Sequence, residues 1–157
     1  MQRPVRATAF AWLFAGLLLP GCGPSEDPGR AALRARLRQE ARLSSDELAS
    51  LREEIARAMT GKAFWIKEGA DLHPMDDEQR VVVFGLLHES AGMYDEGLRR
   101  DARMTFRVLN APGRSRDSEV EAARHLWVEV ETFLPRRFQF TYAFPGYGDY
   151  AFDLVDR

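Results

Sequence analysis

From Arg103 to the C-terminus the chain alternates apolar and polar residues with a period of two, which constrains its fold more than any other feature. Met104, Phe106 and Val108 alternate with Thr105 and Arg107. Val120, Ala122, Leu126, Val128, Val130 and Leu134 alternate with Glu119, Glu121, Glu129 and Glu131, and only Arg124 interrupts that apolar face. Phe138, Phe140, Tyr142 and Phe144 follow, then Tyr150, Phe152 and Leu154. Successive side chains of a strand point to opposite faces, so each run predicts a strand with one buried face. Asn110-Ala111-Pro112-Gly113, Pro135-Arg136-Arg137 and Pro145-Gly146-Tyr147-Gly148 read as the turns between them. The expectation is a four-stranded antiparallel meander.

The first half has the helical period. Arg30–Leu43 reads as a basic helix, with five arginines that could either meet anionic lipid headgroups or stand solvated. Ser44-x-x-Glu47 is a capping box, and Leu48, Leu51, Ile55 and Met59 form one stripe behind it, closed by Gly61. Phe64-Trp65-Ile66 reads as a short extended segment and Asp71-Leu72-His73-Pro74 as a turn. In 76–88 three valines favour a strand, whereas the acidic cap Asp76-x-x-Gln79 and the Val83, Leu86, Leu87 spacing favour a helix, which is the expectation taken. Ser90–Arg100 reads as a loop. The fold class is therefore α+β, N-terminal helices packed on a four-stranded antiparallel meander sheet. The element order resembles the cone-shaped fold of the nuclear transport factor two superfamily, and the cystatin-like arrangement is a comparable alternative.

Ahead of these elements, Arg3 and Arg6 precede an apolar stretch, Ala7–Leu19, too short to span a bilayer. It ends at Leu19-Pro20-Gly21-Cys22, which resembles the lipobox of bacterial lipoproteins. The resemblance implies a signal peptide over 1–21, acylation of Cys22 and a membrane-lipid partner through it, then a tether over 22–29 and a single periplasmic domain over 30–157. Gly23, in place of Asp, implies the periplasmic leaflet of the outer membrane. Loss of Arg3 and Arg6 takes the formal net charge from −2 to −4. A mildly acidic, mixed-sign chain argues against a nucleic-acid partner. Cys22 is the single cysteine, so packing rather than a disulfide must hold the domain.

No motif names a chemistry. His88-Glu89 opens like a zinc-protease helix, but position 92 is Gly where the second ligand would stand. Gly146-Tyr147-Gly148-Asp149-Tyr150-Ala151 matches a dinucleotide loop yet leads into a strand pattern rather than the helix whose N-terminus would take the pyrophosphate. Asp149 and Asp153, four apart on a strand, would sit roughly 13 Å from each other, too far for a glycosidase pair. His73, His88 and His125 are scattered. The expectation is no catalytic residue, no metal and no cofactor. Trp127 and Phe133 fall on the face of their strand opposite the aliphatic one, among glutamates, and Tyr147 lies in an aromatic-glycine turn; these three are the candidate interaction residues. The reading is a non-enzymatic binding module of the cell envelope with an envelope protein as partner. The alternatives are a small-ligand pocket between helices and sheet, and a hydrolase built on the histidines.

Overall fold

The computed structural model describes residues 26–88, 93–101, 103–112, 122–142 and 150–157. The lipobox with Cys22, and the turn carrying Tyr147, lie outside the described residues. The architecture is α+β: helices α1 (Pro28–Leu37), α2 (Ser45–Met59) and α3 (Asp77–Phe84) with seven strands, β1 (Phe64–Glu68), β2 (Asp71–Pro74), β3 (Tyr94–Arg100), β4 (Thr105–Pro112), β5 (Ala122–Glu129), β6 (Pro135–Tyr142) and β7 (Tyr150–Asp156). All pair antiparallel in one sheet of order β2-β1-β7-β6-β5-β4-β3. The four expected strands are its centre, β4 to β7. The sheet is wider than the four-stranded expectation, and α3 falls between strands rather than N-terminal to them.

Local chemistry accounts for the elements. Both capping boxes form: Ser44 and Glu47 satisfy each other's backbone N–H at α2, and Asp76 and Gln79 do so at α3. A 3-10 turn, Gly85–His88, continues α3. Four expectations are corrected. Asp71–Pro74 is a strand, because Gly69 at φ +59 makes the two-residue turn earlier, and Pro74 is tolerated on the edge strand β2. Residues 94–100 are an edge strand rather than a loop; a bulge at Glu96, before Gly97 at φ +111, hides its alternation. Asn110, Ala111 and Pro112 belong to β4. Pro135-Arg136-Arg137 begins β6, since the chain reverses earlier, with Glu129 N–H donating to Leu134 O and Phe133 N–H to Glu129 O.

The core lies on one face of the sheet. Leu109, Leu126, Phe138 and Phe152 face one another across β4 to β7, and Ile66 meets Leu154 across β1 and β7. They share one buried cluster with Leu37, Leu51, Ile55, Val83, Phe84 and Leu86 from the helices and the 3-10 turn. Phe133 corrects the sequence expectation most sharply. The strand stops at Glu129, so its phase does not reach position 133; the residue takes φ +60 and its ring is wholly buried under Arg30 and Arg34, each 5.1 Å from the ring centroid.

The phase of β4 is the reverse of the expected one. Arg107, Leu109 and Ala111 face the helices, while Phe106 and Val108 line the other face of the sheet. Arg107 has no exposed surface. Its guanidinium donates to Asp95 Oδ2 at 2.9 Å and to the carbonyls of Leu37 at 2.9 Å, Gln39, and Ala41 at 3.1 Å. Asp95 also accepts from Leu43 N–H at 2.8 Å and Gly97 N–H at 2.9 Å. This is why α1 stops at Leu37 instead of running to Leu43: the carbonyls beyond it are held by a side chain. Burial pulls the Arg107 guanidinium below its ordinary pKa, and Asp95 acts against that pull.

Candidate functional site

The face of the sheet away from the helices carries the candidate site. Register places Val108, Trp127, Arg137, Asp153 and Lys67 opposite one another in turn across β4, β5, β6, β7 and β1. Over the part of this row from Trp127 to Lys67 lies a groove of about 520 Å³. Its apolar part is the half-buried Trp127, the edge of Phe106 with ring centroids 5.8 Å apart, and the exposed Met104. Its rim is charged. Arg137 stacks on the Trp127 ring at 5.6 Å and pairs with Asp153 at 2.8 Å. Lys67, Arg100, Arg136 and Asp101 complete it.

These charges are not equally available. Arg136 is bound by Glu129 and Asp156; burial lowers its pKa, but those two partners outweigh it and hold it above its ordinary value. Asp156 is held below the usual carboxylate range, first by its hydrogen bond from Lys62 and then by Arg136. Asp101 is also held low, by the backbone N–H groups of Arg103 and Met104, to which its side chain is bonded at 3.0 Å. Arg100 and Glu40 pair at 3.3 Å with both side chains largely exposed, a contact worth little in water. The loosest cations on the rim are thus Lys67 and Arg100.

A second polar cluster occupies the same face at the other end of β4 and β5. Asn110 and His125 are cross-strand partners. Asn110 Nδ2 donates to Glu96 Oε1 at 2.6 Å, and His125 Nδ1 lies 3.0 Å from Glu96 Oε2. Asn110 Oδ1, His125 Nε2 and Trp127 Nε1 are buried and, among the described residues, have no hydrogen-bond partner. Leaving a buried polar atom unpaired costs about 1–3 kcal/mol.

Of the residues picked from sequence, Trp127 stands in the groove, Phe133 is in the core, and Tyr147 lies outside the described residues. The histidines are not brought together: His73 is on β2, His88 ends the 3-10 turn, and His125 is on β5. Among the described residues no group of three or more His, Cys, Asp or Glu could hold a metal. Of the arginines of the expected basic helix, Arg30 pairs with Glu54, Arg34 with Glu26 and Arg36 with Glu47 on α1, and Arg38, just past its end, pairs with Glu131. Sequence reasoning missed Lys67, Glu96 and Asn110. Adjacent acids before a glycine, Asp95-Glu96-Gly97, were the available signal for a bulge that sends two carboxylates to opposite faces. No helix among the described residues is long and apolar enough to cross a membrane. No family model, curated protein or solved structure matches the chain.

Proposed function

We propose that this chain is a non-enzymatic binding module of the cell envelope, held by lipid on Cys22 at the periplasmic leaflet of the outer membrane, and that it docks an acidic-apolar segment of an envelope protein over Trp127. The observation that carries the docking reading is the row Trp127, Arg137, Asp153, Lys67 beneath an open groove on the sheet face away from the helices. Trp127, Phe106 and Met104 give such a segment an apolar seat with an aromatic anchor. Lys67 and Arg100 attract its carboxylates, because neither has a strong internal partner among the described residues. The lipid anchor is supported by the lipobox resemblance and by Cys22 being the single cysteine.

Two experiments test the two halves. Cys22→Ala should release the protein from membranes or strand it unprocessed; a processed mutant that still fractionates with membranes contradicts the anchor. Lys67→Glu combined with Arg100→Glu should weaken the partner complex at least tenfold at low salt, while the melting temperature stays within a few degrees. An unchanged complex contradicts the groove as the docking surface.

A further inference from the structure

Helix α1 is joined to the rest of the molecule in two different ways along its ten residues. At its C-terminal end Leu37 is wholly buried, and Arg107 holds the carbonyls of Leu37, Gln39 and Ala41. From Pro28 to Arg36 no residue is buried. Leu33, partly buried, is the one apolar side chain of that stretch packed against the core. A surface helix ordinarily docks through an apolar stripe; this stretch docks through charge. Arg30 Nε lies 3.1 Å from Glu54 Oε2 without the alignment of a hydrogen bond, and Arg36 binds Glu47 at 2.5 Å. Among the described residues these two ion pairs join α1 to α2. A groove of about 470 Å³ lies between the helices, with Ala32 and Leu33 on one side and Ser50, Glu53 and Arg57 on the other, so packing does not close the interface.

Under this lightly held stretch lies Phe133. Its ring is wholly buried with Arg30 and Arg34 over it, and its backbone is at φ +60, a conformation that bulky residues rarely adopt. The acid that pairs with Arg34 is Glu26, just ahead of α1, so that pair travels with the helix and does not tie it down. Arg38, which pairs with Glu131, lies beyond the stretch. Ion pairs between partly solvated side chains are screened by salt and hold weakly one by one. A helix this short is also marginal in water once nothing packs against it. We propose that Pro28–Arg36 is a strap: it opens by breaking Arg30–Glu54 and Arg36–Glu47, turns about the segment held by Arg107, and uncovers the ring of Phe133. Released and unwound, the stretch spans up to about 30 Å instead of about 13 Å, so opening also lengthens the chain that leads into the domain. The opening does not rest on lipid at Cys22, although an anchored domain would reach further from its membrane when the strap is open.

The test is amide hydrogen exchange of the full chain in dilute and in about 1 M potassium chloride, where the screening length falls to about 3 Å. The amides of Leu33, Arg34 and Arg36 are compared with those of β5 and β6, and with that of Leu43, which donates to Asp95 at the hinge. High salt should speed exchange in the strap about tenfold relative to the sheet, the order expected when two such pairs are lost together. Leu43 should keep its protection. Arg30→Gln combined with Arg36→Gln should give the fast strap already in dilute salt and remove most of the further effect of salt. Phe133→Leu, which keeps an apolar filler but takes away the ring beneath Arg30 and Arg34, should also speed the strap. Strap amides that stay as protected as the sheet in 1 M salt, or that lose protection only together with it, overturn the proposal. So does an unchanged strap in the double variant, and an unchanged strap in Phe133→Leu contradicts the coupling of the strap to that ring. Acylation of Cys22, present or absent, leaves each of these outcomes as it stands.

Discussion

Two polar clusters share strands β3 and β4, and they differ in how fully their buried groups are partnered. Asp95 and Glu96 are neighbours on β3, yet one reaches Arg107 on the helix side and the other reaches Asn110 and His125 on the opposite side. On the helix side Arg107 binds Asp95 and three backbone carbonyls, and Asp95 takes two backbone N–H groups besides. Such a network, with its partners in place, fixes the end of α1 and the chain after it against the sheet. On the other side Asn110 Oδ1, His125 Nε2 and Trp127 Nε1 have no hydrogen-bond partner among the described residues. Burial alone therefore does not identify a site.

This contrast is sharpest under substitution. Arg107→Met leaves Asp95 buried without its counter-charge and should cost about 3–5 kcal/mol, read by chemical denaturation. Adding Asp95→Leu should recover part of the loss, because it removes the stranded charge; a single-variant cost below about 1 kcal/mol would put Arg107 among ordinary surface charges. Phe133→Ala should cost about 3 kcal/mol, the range for a wholly buried aromatic ring, whereas an interaction residue on an open face would lose almost nothing. Trp127→Ala should cost less than Phe133→Ala while abolishing partner binding. Asn110→Ala should change stability by no more than about 1 kcal/mol, since it removes a bond to Glu96 and an unpaired carbonyl together. A larger loss there would make the Glu96 cluster a second clamp.

Lowering the pH should act on a third set of groups. Asp156, held low by Lys62 and then Arg136, and Glu47, held low by the Ser44 N–H and then Arg36, have folded pKa values below their ordinary ones. Their contribution is present above the ordinary carboxylate range and is lost as pH falls through the folded values, so the denaturation midpoint should drop below about pH 4. Asp156→Asn should flatten that drop; a variant that keeps the full acid response would remove Asp156 from this account.

Much of the frame was legible because it depends on short-range rules. Both capping boxes, the stripe of Leu51 and Ile55, and the central strands β5, β6 and β7 follow from spacing alone. What stayed hidden depends on tertiary context. The phase of β4 could not be read, since a wholly buried arginine occupies a core position and Phe106 and Val108 line the other face. The edge strands β2 and β3 carry too little alternation to stand out. Trp127 was legible as a candidate because it breaks the acidic pattern of β5, but its companions Lys67 and Arg137 reach it only through the pairing of β1, β7 and β6.

The most direct test of the central claim is site-specific photo-cross-linking in intact cells from position 104, the exposed apolar rim of the groove. The account predicts one envelope protein joined through a segment that carries acidic beside apolar residues, with the cross-link lost on Trp127→Ala in a protein that remains folded. A cross-link that survives Trp127→Ala, or one mapped to a basic or featureless segment, would contradict the groove over Trp127 as the docking site.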